Sequence, residues 1–82
     1  MKKVLRFTAG WCQPCKMLAK NLDGINVGFP IEVVDIDDST ETAMLYGVRS
    51  VPTMIMFGNE GEELKRHVGV MQKQDLENWL NG

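Results

Sequence analysis

Trp11-Cys12-Gln13-Pro14-Cys15-Lys16 decides how the chain is read, because it holds both cysteines of the molecule. An apolar run, Val4 to Phe7, leads into it, and a helical pattern, Lys16 to Leu22, follows. Two thiols at i and i+3 on the first turn of a helix can close a disulfide on each other. In that place Cys12 lies where unpaired backbone N–H groups and the positive end of the helix dipole stabilise a thiolate. A thiolate is the attacking species in disulfide exchange, and a second thiol one turn later can release the mixed disulfide that results.

Other uses of a cysteine pair fit less well. As a staple, so short a loop contributes only about 2 kcal/mol, against roughly 4–5 kcal/mol for a bridge across a whole domain. A zinc or iron–sulfur site needs two further ligands, and the chain offers one histidine, His67, far off in sequence. His67 reads as a solvated surface residue, and no metal site is expected. Redox chemistry is the reading that remains.

Composition sets the frame. Eighty-two residues make one domain, 1–82, which buries only about 60–65% of its unfolded surface. The apolar fraction of 44% argues against disorder. Nine basic and eleven acidic residues are interspersed, for a net charge of −2. No basic face or polybasic run points to nucleic acid or an anionic membrane. No apolar run approaches the roughly 20 residues of a membrane span. After Met1-Lys2-Lys3 come Arg6, Thr8 and the Trp-Cys motif, so no signal-peptide core is formed and a cytoplasmic, reducing setting is expected.

Local signals predict seven elements. Lys3 to Thr8 reads as a buried strand with Arg6 the exception to its apolar character. Ala9-Gly10-Trp11 is the turn out of it, and the first helix begins at Cys12 or Gln13. Pro14 suits the first helical turn, where a missing N–H costs little. Cys15, Leu18 and Leu22 form one stripe with Met17 beside it, Lys16 and Lys20 face water, and Asp23-Gly24 ends the helix. Ile31 to Ile36 is a second strand. Asp38 or Ser39 caps a short helix, with Glu41 placed to complete a capping box, and Gly47 stops it in a left-handed conformation. Met54 to Phe57 and Glu62 to Val68 are strands joined by the turn Gly58-Asn59-Glu60-Gly61, and Gly69 ends or bulges the second. Lys73 to Leu80 is the last helix, with Leu76, Trp79 and Leu80 inward. Met44, Met54 and Met56 read as core filling. The order β-α-β-α-β-β-α predicts an α/β fold, a four-stranded mixed sheet with helices on both faces and a right-handed first βαβ unit.

This order, with the Trp-Cys-x-Pro-Cys-Lys block after the first strand and Val51-Pro52-Thr53 before the third, resembles the thioredoxin family. Phe7, Ala9, Met17, Ile36-Asp37, Tyr46-Gly47-Val48-Arg49, Phe57, Val68-Gly69 and Leu76 also fall where the family has the same or a similar residue, so the likeness covers nearly the whole chain. It implies a minimal thioredoxin fold and a monomeric thiol–disulfide oxidoreductase without cofactor. Cys12 would be the nucleophile and Cys15 the resolving thiol. Pro52 would be in cis against the motif, with the backbone of Val51 offering strand-like bonds to a substrate segment. Trp11, Val51, Pro52, Gly69 and Val70 would form an apolar, low-relief patch around Cys12, with Gln13 and Pro14 also binding the substrate. Substrates would be protein disulfides, and the oxidised pair would be reduced by a partner such as thioredoxin reductase, or by glutathione.

Departures from the family pattern qualify the expectation. The first strand begins almost at residue 1, so the chain is closest in size to compact thioredoxin- or glutaredoxin-like proteins. The family's buried Asp, six residues before the nucleophile, is Arg6 here, and its Lys on the neighbouring strand is Val33. Lys20 replaces the Pro that kinks the active-site helix, so a straighter helix is expected. Arg6 either stabilises the Cys12 thiolate from beneath the motif, or snorkels to the sheet edge with no chemical effect. Lys16 adds a modest favourable charge, and without the family's Asp, Cys15 deprotonates either through water or with help from Asp35 on the adjacent strand. Three rival functions stand beside the main one: a glutathione-dependent glutaredoxin-type reductase, a binding or accessory module using the same patch without thiol chemistry, and a carrier in which two chains share a metal cluster.

Overall fold

The computed structural model describes residues 1–82 and runs β1 (Lys3–Thr8), α1 (Gln13–Leu22), β2 (Ile31–Asp35), α2 (Thr40–Leu45), β3 (Thr53–Phe57), β4 (Glu63–Val68) and α3 (Lys73–Asn81). The strands form one mixed sheet in the order β2-β1-β3-β4. β1 pairs parallel with β2 and antiparallel with β3, and β3 pairs antiparallel with β4. The central strands are therefore β1 and β3, and β3 is buried along its whole length.

Alternation along β1 sorts the core into two layers. Val4 points to one face, where it joins Met54 and Met56 of β3, Leu18 of α1, and Leu76 and Leu80 of α3. Leu5 and Phe7 point to the other, where they meet Ile55, Phe57 and Ala43 of α2. Helices thus cover both faces. The end of α1 and the approach to α3 are further tied through the Asn21 side-chain amide, which donates to the Met71 carbonyl at 2.9 Å, and Lys73 Nζ, which donates to the Asp23 carbonyl at 2.8 Å.

The second face is more thinly covered, because α2 has only six residues. Of its apolar side chains Ala43 is buried, while Met44 and Leu45 are 74% and 76% exposed. Met44 is therefore not core filling, unlike Met54 and Met56: a helix of under two turns has one inward position to offer. Its capping also differs from expectation. Ser39 is the N-cap residue but makes no side-chain cap bond, so no capping box forms. Instead Thr40 Oγ1 donates to the Ile36 carbonyl and the Asp37 N–H donates to Asp35 Oδ1. At the far end Gly47 takes φ +68°, and its N–H donates to the Met44 carbonyl, closing the helix.

Smaller differences have similar causes. β2 stops at Asp35, since the Asp35 carbonyl turns to accept the Asp38 and Ser39 N–H groups. Gly69 ends β4, at φ +102°, while the irregularity in the β3–β4 ladder falls at Met56/Phe57. His67 is half-buried rather than solvated, because β4 register sets it opposite Met54. Trp79 is half-buried against the first core, with Lys65 Nζ 4.8 Å from its ring centroid. α1 runs unbroken over ten residues, as its lack of an interior proline requires. On β4, Arg66 donates to both carboxylate oxygens of Glu63 at 2.7 Å and to the Tyr46 carbonyl at 2.9 Å. That hydrogen bond holds Glu63 below the ordinary carboxylate range, so the pair is lost only as pH falls through the lowered value.

Leu18 is fully buried between α1, the sheet and α3. Leu18→Ala is expected to cost about 2–5 kcal/mol in denaturant unfolding, whereas Met44→Ala is expected to stay within about 0.5 kcal/mol of the parent. Equal losses would contradict this division of core and surface.

Candidate active site

The site grows from the junction of β1 and α1. β1 ends at Thr8, and a turn closed by the Cys12 N–H donating to the Ala9 carbonyl at 3.1 Å redirects the chain into α1. Cys12 is the N-cap residue, in extended conformation at φ −94°, ψ 105°. In that position a side chain accepts from the free N–H groups of the first turn, as Ser or Asp commonly does. Here sulfur takes the role: the Cys15 N–H donates to Cys12 Sγ at 3.1 Å. Pro14 occupies the first turn without sacrificing a needed donor.

Cys12 and Cys15 are disulfide-bonded, with Cα atoms 5.2 Å apart. Both are buried, Cys12 at 4% exposed and Cys15 at 1%, in a small cluster with Ala9 against Ile36 and Val51. Cys12 Sγ lies 3.7 Å from the Val51 carbonyl oxygen, a van der Waals approach in the disulfide form. The Val51–Pro52 peptide bond is cis. The Pro52 carbonyl accepts the Gly69 N–H at 2.9 Å, so the start of β3 and the end of β4 meet beside the sulfurs. Gly69's φ of +102° is one that a side chain would strain.

The structure thus gathers Trp11, Cys12, Gln13, Pro14, Cys15, Val51, Pro52 and Gly69 in one region, with Val70 exposed beside Gly69. Trp11 is 70% exposed, and Gln13, Pro14 and Lys16 are exposed on the helix start. One residue of the site, a family-like position with no role assigned to it from the sequence, is added by the structure. Asp37, whose neighbours read as a helix start, accepts a hydrogen bond from the Trp11 indole Nε1 at 3.0 Å. That bond fixes the orientation of an otherwise free ring. The partners are 26 positions apart, and only the β1–β2 pairing brings them together.

Arg6 lies on the central strand β1 and is half-buried. Its Nε is shut off from solvent without a hydrogen-bond partner, and burial pulls the guanidinium pKa below its ordinary value. It shares a cleft of about 280 Å³ with Cys15, Lys16 and Asp35, and Cys12 does not line that cleft. No group of three or more His, Cys, Asp or Glu side chains stands in a metal-binding arrangement. No helix is long and apolar enough to cross a membrane.

Comparison with known proteins fits this geometry. The thioredoxin family model matches residues 1–82. The chain belongs to the thioredoxin family. It is 39% identical to the thioredoxin of Rickettsia typhi over 82 residues, covering 95% of this chain and 77% of that one. It is 42% identical to the thioredoxin of Chlamydia trachomatis over 76 residues, covering 89% and 74%. Among solved structures, an N21Q mutant thioredoxin from Halobacterium salinarum superposes with a TM-score of 0.88 at 29% identity, covering 98% of this chain and 72% of that one. Family membership and the bonded Cys12–Cys15 pair together make the chain a thiol–disulfide oxidoreductase of the protein-disulfide reductase type. Protein disulfides as substrates and a reductase as partner go with the thioredoxin family in general.

The two sulfurs differ in their surroundings, and the difference is measurable. In the reduced protein, iodoacetamide is expected to modify Cys12 at least about tenfold faster than Cys15, read by peptide mapping. Equal rates would mean that the N-cap contact at Cys12 does not set reactivity.

Proposed function

We propose that Cys12 attacks a disulfide in a protein substrate and that Cys15 then displaces the reduced product. What carries this assignment is the Cys15 N–H directed at Cys12 Sγ, 3.1 Å away, at the start of a ten-residue helix. A negative charge on that sulfur accepts a charge-assisted hydrogen bond and faces the positive end of α1. Lys16, exposed on the same turn, adds charge of the favourable sign. In the first step the Cys12 thiolate bonds to one substrate sulfur, and the other leaves as a thiolate that takes up a proton. In the second step Cys15 loses its proton, bonds to Cys12 Sγ and releases the remaining substrate sulfur. Two electrons pass to the substrate, and the Cys12–Cys15 disulfide is left.

The substrate segment lies across Trp11, Gln13, Pro14, Val51, Pro52, Gly69 and Val70. Support comes from their arrangement. An exposed, hydrogen-bonded indole stands on one side of the sulfurs and the Val51 carbonyl on another. Beyond them is Gly69, where even an added Cβ would meet nothing within 4 Å. An extended peptide needs that close backbone approach. Residues 1–82 act as one domain and as a monomer, in a cytoplasmic, reducing setting. The resulting disulfide is returned to the dithiol by thioredoxin reductase rather than by glutathione. The segment after Gly69, Val70-Met71-Gln72-Lys73, lacks the Gly- and Asp-rich cradle expected for a glutathione carboxylate.

Turnover of a disulfide-bonded protein tests the scheme. With NADPH and thioredoxin reductase the chain is expected to reduce it, at least about tenfold faster than with glutathione at matched reducing power. Cys12→Ser is expected to abolish turnover. Cys15→Ser is expected to accumulate a covalent adduct on Cys12, seen by mass spectrometry. An adduct on residue 15 in Cys12→Ser at equal yield would reverse the two roles.

A further inference from the structure

A cation lines the same cleft as the second sulfur. Arg6 pairs across the sheet with Met54, whose side chain belongs to the core beneath α1 together with Leu18. Arg6 is thus directed to the α1 side of the sheet, next to the cleft that Cys15 lines. No carboxylate is in ion-pair contact with it: the ion pairs of the chain are Lys3–Glu32 and Arg66–Glu63. A guanidinium stays protonated at neutral pH even in this setting.

We infer that Arg6 is a positioning residue for the resolving step, holding Cys15 as the thiolate when it displaces the substrate from Cys12. The inference rests on the roles proposed above for the two cysteines. Burial among Ala9, Ile36 and Val51 disfavours an ionised sulfur on Cys15, and a neighbouring cation opposes that effect. The charged groups facing the cleft come from three elements. β1 brings Arg6, α1 brings the like-signed Lys16, and β2 brings Asp35, the one opposing charge. Asp35 Oδ1 is engaged by the Asp37 N–H at 2.9 Å, and the Val51–Pro52 turn contributes no ionisable side chain. The balance around Cys15 is two cations to one anion. The step itself is unchanged in stoichiometry: the Cys15 proton leaves to water through the cleft, the Cys12–Cys15 bond forms, and the substrate sulfur departs with the electron pair of the broken bond.

Reaction of the reduced protein with dithiobis(nitrobenzoate), followed by stopped flow, separates the two steps. Attack by Cys12 releases one coloured thiolate and resolution by Cys15 releases a second. In Arg6→Met, and equally in Arg6→Gln, the second phase is expected to slow about tenfold near neutral pH, with its pH midpoint raised by roughly one unit. The first phase should keep its rate, the second should recover the wild-type rate at high pH, and Arg6→Lys should behave as wild type. An unmoved midpoint in the neutral variants overturns the inference. So does a loss that persists at high pH or that Arg6→Lys shares, since either indicates packing rather than charge. A wild-type trace with no Cys15-dependent second phase overturns the assigned order of the sulfurs, and the role of Arg6 with it.

Discussion

The structure depends on a sulfur standing in for an N-cap oxygen. A helix start leaves N–H groups without partners, and proteins commonly satisfy one with a short polar side chain. Here the Cys15 N–H finds Cys12 Sγ. Sulfur is a poor acceptor as a thiol and a good one as a thiolate, so the cap is best satisfied when the side chain is charged and reactive. Local folding and chemical reactivity are thereby the same interaction. The rest of the chain keeps it in place. Leu18 anchors α1 one turn below the motif, the α1–α3 hydrogen bonds fix the helix laterally, and Ala9 turns the chain so that Cys12 meets Val51.

The sheet gives the two sulfurs unequal environments. Cys12 faces the Val51–Pro52 turn and follows the exposed Trp11. Cys15 is buried in the cluster with Ala9, against Ile36 and Val51, and also lines the cleft that Arg6 lines. An arginine on a central strand is costly, because its Nε is desolvated without compensation from a partner. The strand could place an apolar residue there at no such cost, as it does at Val4. The cleft beside Arg6 lowers the penalty by keeping part of the guanidinium near water, so the charge is retained within reach of the motif but not exposed to the bulk.

Much of this is legible in the sequence, for local reasons. The βα junction, the cysteine pair on the first helical turn and the glycine stop at Gly47 follow from short-range signals that tertiary packing reinforces. What escapes are features set by neighbours distant in sequence. The Trp11–Asp37 hydrogen bond exists only because β1 and β2 pair, and Asp37 by itself resembles part of a helix start. Met44 resembles core because apolar residues in a helix usually face inward, but a six-residue helix cannot bury consecutive positions. His67 is half-buried through its register opposite Met54, which no periodicity in the polar strand β4 announces. Arg6 stands open between an edge and a buried placement until the strand order makes β1 central.

That strand order also determines what an electrostatic change at position 6 can act on. A charge on an edge strand would be screened by water and would alter neither sulfur. On the central strand it is half-buried, where a charge is screened less than at the surface. The thioredoxin pattern places a carboxylate at this point, and the present chain places a cation. A carboxylate there can take a proton but raises the cost of an ionised sulfur; a guanidinium cannot take the proton but lowers that cost. The proton must then leave through the cleft itself, which Gly10 and Ala19 do not fill and which the carboxylate of Asp35 lines. The exchange of Asp for Arg therefore changes how Cys15 is readied for attack while leaving the order of bond making and breaking the same.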